Sequence, residues 1–370
     1  MIRGKRRSRS RLPGIRAATC QYEAWLGTHV RLFTRDLCLK HRLMKQGPLP
    51  FLEATFYRWL QKLPSLCREL MSGPLVLAVG DLHIEAFGTW RDADDRLVWG
   101  VHDFDEALNL PYTLDLLRLA TSALLACGEG RLKIRPRAAC AAILDGYAAS
   151  LRAGGRPIIL AERHSRLRGL LYDKPWDDPQ TFWKKARELP APERPIPSDA
   201  RSAIELSLPE AHLGYQTVTR PGGIGGLGRP RYVALADWHG ARIGREAERL
   251  ASSAVLWAAG HSPNGDVMYE ATVNGAVRSP DPFLRISGYW IARRYGPQSG
   301  RLKVRQLGEA ADAHRLLRAM GWETANIHLG TKSAVAAVKR DLHRRRSDWL
   351  LDSAKRVARD VESDWRDWSR

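Results

Sequence analysis

Residues 79–120 read VGDLHIEAFGTWRDADDRLVWGVHDFDEALNLPYTLDLLRLA and set Asp81, His83, Glu85, Asp103, Asp105, Glu106 and Asp115 among apolar runs. Buried carboxylates are costly unless a cation, a metal ion or a charged ligand compensates them. The apolar run 74–80, PLVLAVG, begins at a proline, ends at a glycine and reads as a buried strand. The run 96–104, RLVWGVHDF, reads as a second strand joined to the first by the turn RDADD. Asp81 and Asp103 then follow two neighbouring strands. From Tyr112 the pattern turns helical and stops at Gly128.

Outward from this core, residues 19–70 read mostly as helix, with Phe51, Leu52, Phe56, Trp59 and Leu60 on one broad apolar face. Helical character continues to about residue 152. Seven prolines between 173 and 209 mark an irregular connection with room for one short helix. Residues 217–250 read as strand, glycine loop, strand, turn, then a strand or helix start. From 281 onward the patterns are mainly helical, and no fixed repeat is present.

The chain has 370 residues, and 59 Lys+Arg against 40 Asp+Glu leave a net charge of +19. This excess favours anionic partners and is silent about fold. Residues 1–16 form a basic arm, and VKRDLHRRR at 338–346 is a second basic concentration. Solvated tails and helix faces account for these ends, with non-specific nucleic-acid binding as the alternative, though no aromatic and basic strand pattern accompanies them. Five scattered cysteines without a CxxC pair form neither a disulfide framework nor a zinc site and suit a reducing cytoplasm. No apolar run is long enough for a membrane span or a signal-peptide core.

Two chemistries place Gly-Asp-x-His, here Gly80 to His83, after a strand. A binuclear metallophosphoesterase would also need GNH[DE] and GHxH segments, and the chain has neither; Gly260-His261-Ser262 lacks the second histidine. Phosphoryl transfer needs one carboxylate to orient the acceptor hydroxyl and a second to hold Mg²⁺ against nucleotide phosphates. Asp81 and Asp103 match that pair.

The run GDLHIEAFGTW to LVWGVHDFDEALNLPYTLDLLRLATS resembles the bacterial family called domain of unknown function 2252. PLPFLEATFYRW, GLGRPRYVALADWHG and MGWETANIHLG are similar too, so the resemblance spans most of residues 40–350. The family's GDxHxxNFG and DFDE blocks resemble the catalytic and metal loops of aminoglycoside and choline kinases. The resemblance thus implies a kinase-like fold, ATP and Mg²⁺ as cofactors, Asp81 as catalytic carboxylate and Asp103 as Mg²⁺ ligand. Asp105 becomes a second ligand and Asp115 an acid bracing the loop, with His83 in the catalytic loop as a bracing residue or base. Three positions depart from the pattern: Ala86 replaces an asparagine, His102 replaces an asparagine before DFDE, and Glu53 replaces an arginine. A methyl at 86 can neither ligate a metal nor brace the loop, and histidine suits a hard cation poorly.

In PGGIGGLGRP, Gly222, Gly223, Gly225, Gly226 and Gly228 would let backbone N–H groups approach phosphate oxygens. Arg245 is the expected phosphate-facing cation, with Glu246 or Glu248 as its partner. The loop follows the catalytic segment instead of preceding it, so a kinase-like arrangement has its lobes in permuted order. The fold expected is α+β, bilobal and helix-rich toward the C-terminus, with a basic disordered arm (1–18) and one body (19–370). That body divides at about 152, 210 and 280. The function expected is transfer of phosphate, or of AMP, to a small-molecule or protein hydroxyl. The alternative is a non-catalytic nucleotide- or anion-binding module, for which Ala86 argues.

Overall fold

The computed structural model describes residues 12–160, 164–172, 178–263, 268–301 and 309–370. Most of the expected basic arm, residues 1–11, lies outside them. The helical body begins inside that arm, with α1 (Ile15–Gly27), whose Ile15 and Ala18 are buried. Helices α2 (Thr34–Leu43), α3 (Pro48–Ala54) and α4 (Phe56–Leu66) follow.

The first strand is β1 (Leu75–Ala78), but the expected hairpin forms elsewhere. β2 (Phe87–Arg91) and β3 (Leu97–Val101) pair around the RDADD turn, whereas β1 pairs antiparallel with β4 (Leu108–Pro111). FGTWR is the extended run adjacent to the turn, so the shorter closure wins. In β1–β4, Ala78 is opposite Leu108. The loop leaving β1 and the loop entering β4 therefore emerge at the same end.

Helices α5 (Tyr112–Gly128) and α6 (Pro136–Ala153) lead to β5 (Ile158–Ile159) and α7 (Ser165–Tyr172). The proline-bearing connection holds two helices instead of one, α8 (Pro179–Arg187) and α9 (Ser198–Glu205). Its prolines serve as helix starters: Pro179 opens α8 and Pro197 immediately precedes α9. Next come β6 (Gln216–Thr219), β7 (Arg231–Trp238), β8 (Ala241–Arg249), α10 (Ala254–Ala258) and α11 (Tyr269–Gly275). The segment after 281, read as mainly helical, first contributes β9 (Arg285–Ser287), β10 (Trp290–Arg294) and β11 (Gly300–Arg301). Helices α12 (Ala310–His328), α13 (Val335–Arg344) and α14 (Trp349–Ser369) close the chain.

Among the described residues the mixed α+β fold has three antiparallel sheets: β1-β4, β6-β7-β8-β10-β9 and β11-β2-β3-β5. The core is built around α5, in which every residue from Tyr112 to Ala126 is buried. A helix enclosed all round tolerates charge only where it is matched. α5 carries just two charged residues, Asp115 and Arg118, and both serve the site described below. Among the described residues no helix is long and apolar enough to cross a membrane.

α12 packs against α6 at a crossing made by two glycines. A Cβ on Gly146 would overlap the Arg318 carbonyl oxygen, and one on Gly321 would overlap that of Ile143. Farther along α12, Glu323 is 1% exposed and accepts the Val101 N–H of β3. Burial pushes its carboxyl up to about 7, although Arg278 and the Asn326 hydrogen bond oppose this.

Two predictions follow from this packing. Gly321→Ala should lower unfolding free energy in urea by about 2 kcal/mol or more, because backbone overlap outweighs the roughly 1 kcal/mol gain in helix propensity. Glu323 binds its proton more tightly folded than unfolded, so its contribution is full below pH 4.5 and fades as pH rises through about 7. Glu323→Gln should flatten that part of the stability profile, at the cost of one misdirected amide.

Candidate functional site

Two acidic loops meet where β1 and β4 end. Gly80 has φ +86°, and a Cβ there would collide with the Glu106 carbonyl, so the GDLH and DFDE backbones touch. The His102 N–H donates to the Ala86 carbonyl at 2.9 Å and ties the loops a second time. Asp115 braces this arrangement from α5. It is fully buried and accepts the N–H groups of Val79 at 2.8 Å and Gly80 at 2.9 Å. His328 Nε2 lies 3.0 Å from Asp115 Oδ2, and Tyr147 holds the other ring nitrogen at 2.8 Å.

Asp81, half-buried, projects beyond this brace. Its partner is Arg118, whose guanidinium reaches Asp81 Oδ1 at 2.5 Å. Arg118 stands three residues after Asp115 on α5, a spacing that allows an intrahelical pair, but the oxygens of Asp115 are committed to the loop. Arg118 also donates to the Leu52 carbonyl and lies over Phe56 and Trp59. The glycine loop closes on the same place. A Cβ at Gly225 would be 3.7 Å from Asp81 Oδ2 and 3.2 Å from the Glu53 carbonyl. Ile224–Gly226 form one 3₁₀ turn, in which the Gly226 N–H donates to the Gly223 carbonyl. Gly222 lies against the Arg231 guanidinium. Of the five loop glycines, only Gly228 has a positive φ, +102°.

Behind the loop, one face of the five-stranded sheet carries a cluster of charge, and Tyr232, Ala234, Ala247 and Trp290 pack on the other. Strand alternation puts Arg231, Glu246, Glu248 and Arg293 together, with Arg231 opposite Glu248 and Arg293 opposite Glu246. Arg231 binds both glutamates, at 2.9 Å for Glu246, and Arg220 joins Glu246 from the glycine-loop side. Burial raises the Glu246 carboxyl, but Arg220, Arg231 and Arg293 prevail and hold it at about 2. Arg229 reaches from the loop to Asp105 and lies 3.6 Å from Glu248.

Arg245 does not belong to this cluster. It occupies the opposite face of β8, donates to the Ser207 and Gly244 carbonyls and lies over Phe283. The period of two that brings Glu246 and Glu248 inward turns Arg245 outward. Neither glutamate is its partner.

His83 is buried and braces its loop: its Nδ1 accepts the Glu85 N–H at 3.2 Å and lies 3.8 Å from Glu53 Oε1. Ala86 is 0% exposed, its methyl packed in the core. Asp103 is half-buried and accepts the Asp105 N–H at 3.3 Å. Asp105 Oδ1 is buried without a hydrogen-bond partner among the described residues. Two adjacent carboxylates, one with an orphaned oxygen, fit a single hard cation, since Mg²⁺ usually takes one or two carboxylates from a protein. No cluster of three or more ligating side chains occurs among the described residues, and the donor set does not suit a binuclear centre.

Three side chains to which the sequence reading gave no role also belong here. Tyr22 stacks on Tyr57 at 4.3 Å between ring centroids, and burial with Glu106 raises its pKa well above the usual value. Glu106 accepts from Ser253 Oγ and the Ala254 N–H, each at 2.7 Å. Burial, reinforced by Asp81, pushes it up to about 7 against those bonds. Lys40 on α2 is buried, and burial lowers its pKa while Glu23, Asp81 and Glu106 oppose the shift. Its signal was present: Phe33, Leu37, Lys40 and Met44 form a 4-3-4 stripe, with a lysine where an apolar residue is expected.

Residues 33–174 match a family described as an uncharacterized protein conserved in bacteria, DUF2252. The match supports that resemblance over α2 to α7 and includes Lys40, Asp81, Asp103 and Asp115. It does not reach the glycine loop. No curated protein matches the chain, and no solved structure does.

The brace defines an expected outcome. Asp115→Asn replaces one acceptor with a donor facing amide N–H groups, and should destabilise the protein by roughly 2–3 kcal/mol in urea unfolding. A change below 0.5 kcal/mol would mean that the loop holds itself.

Proposed function

We propose that the protein is a kinase-like phosphotransferase that moves phosphate from ATP to a hydroxyl acceptor. The observation that carries this reading is the convergence of three chain segments: Gly225 lies beside Asp81, and Gly80 lies against Glu106. Phosphoryl transfer depends mainly on positioning and charge compensation, and those are what such a cleft offers. Asp81 would orient the acceptor hydroxyl, with Arg118 fixing one of its oxygens. Asp103 and Asp105 would hold Mg²⁺, which when bound screens the phosphate charge. Arg229, now on Asp105, is placed to exchange that carboxylate for a phosphate oxygen, and the glycine loop would cover the chain of phosphates.

A second reading is a nucleotide- or anion-binding module without turnover. Ala86, enclosed in the core, and the Asp81–Arg118 pair favour it, because Arg118 already engages one of the oxygens that would meet the acceptor hydroxyl.

ATP with Mg²⁺ at 100 times Kd should add about 2.7 kcal/mol of stability. Asp103→Ala should abolish the Mg²⁺ dependence. With a library of hydroxyl acceptors, Asp81→Asn should lower γ-phosphate transfer at least ~100-fold while ATP still binds. Stabilisation by ATP that ignores Mg²⁺, without transfer, would select the second reading. Indifference to every nucleotide would end both.

A further inference from the structure

We propose that Lys40 is the cation that receives the phosphate oxygens of the bound anion, presented by helix α2 and not by the sheet. This deepens the phosphotransferase reading and rests on it for the nature of the ligand. The position of α2 follows from its contacts. The Phe33 N–H donates to the Gly228 carbonyl at 2.9 Å, and a Cβ on Gly228 would come within 2.7 Å of Leu37. Lys40 lies one turn beyond Leu37 on the same helix face, and Met44, the next residue of that stripe, is 0% exposed. The helix docked on the glycine loop thus carries its lysine inward.

What sets Lys40 apart is its lack of a direct partner. It is 4% exposed, and it makes no hydrogen bond or ion pair with any described residue. Other cations around the site have direct partners: Arg118 with Asp81, Arg229 with Asp105, Arg231 with Glu246 and Glu248, and Arg293 with the Tyr269 hydroxyl. Glu23, the acid with the largest electrostatic effect on Lys40, is taken by His41 at 2.7 Å. A buried ammonium without a direct counter-ion is a standing cost that an incoming anion removes. The lowered pKa of Lys40 agrees with that cost.

Phosphate suits the position better than a carboxylate. An ammonium is a compact charge with three donors and no planar requirement, which matches the oxygens of a polyphosphate chain. The Arg229 guanidinium lies against Gly226 in the loop on which α2 docks. The alternative role, diffuse neutralisation of Asp81 and Glu106 in the folded protein, predicts a different response to substitution.

The test uses the full chain with ATP, tripolyphosphate and adenosine as probes, each titrated calorimetrically in Mg²⁺ on wild type, Lys40→Met and Lys40→Gln. Lys40→Met should weaken ATP at least tenfold, leave adenosine within twofold, and give a ligand-free protein at least as stable as wild type. A parallel loss for tripolyphosphate assigns the lysine to a phosphate chain from any source; ATP binding without tripolyphosphate binding assigns it to a nucleotide. Should Lys40→Met not fold, Lys40→Gln must show the same tenfold loss. Wild-type binding that survives within twofold in a folded Lys40 variant would overturn the assignment and leave the phosphotransferase reading standing. Equal losses for ATP and adenosine would make Lys40 a structural residue. Wild-type protein that binds neither ATP nor tripolyphosphate would overturn both.

Discussion

The organisation of the site depends on one buried carboxylate. Asp115 enters the protein interior on a helix that is enclosed on every side, and it is tolerated there because donors converge on it: the amides of Val79 and Gly80, and the imidazole of His328. Those bonds set the direction in which the chain leaves β1. Gly80 must then adopt a positive φ and press against the Glu106 carbonyl, which leaves no space for a side chain. The two acidic loops, 20 residues apart in sequence, are brought together as a consequence. Tyr147, Asn326 and Glu323 extend the same hydrogen-bonded core toward β3 through α12.

A second constraint is electrostatic. Asp105, Glu246 and Glu248 face Arg220, Arg229, Arg231 and Arg293 in a region with little exposure to water. Such a lattice adds little net stability compared with an apolar packing of the same volume, because desolvation offsets most of the attraction. Removing one member, however, would strand the others. The arrangement therefore favours one relative placement of sheet and acidic loops over alternatives, and it leaves positive charge beside the glycine turn.

The same pairs describe a closed site. Arg118 occupies one oxygen of Asp81, and Arg229 occupies one of Asp105. Under the phosphotransferase reading, ligand binding exchanges the second pair for contacts with phosphate, and the first stays in place because Arg118 is also held by the Leu52 carbonyl and two aromatic rings. Ala86 and Glu53 fit this picture as local compensation. The Glu53 carboxylate lies near His83, and the backbone of Ala86 links the loops even though its side chain cannot.

The acidic loops and the apolar helix α5 were readable from residues 79–120, because their signals are local: a glycine stop, a polar turn and an apolar helical run; the bracing part of Asp115 came only with the family resemblance. Pairing was not. RDADD announced a hairpin without saying which flanking run would close it, and the strands after 281 lacked the alternation that would separate them from helix. Arg245 and Lys40 show the limit most directly. Which face of a sheet meets the site is set by distant packing, and Arg245 fell on the buried face turned away from it. Lys40 stood in an apolar stripe, a local oddity whose meaning appeared only when α2 docked on the glycine loop. Residue spacing determines which side chains share a face; long-range packing decides what that face meets.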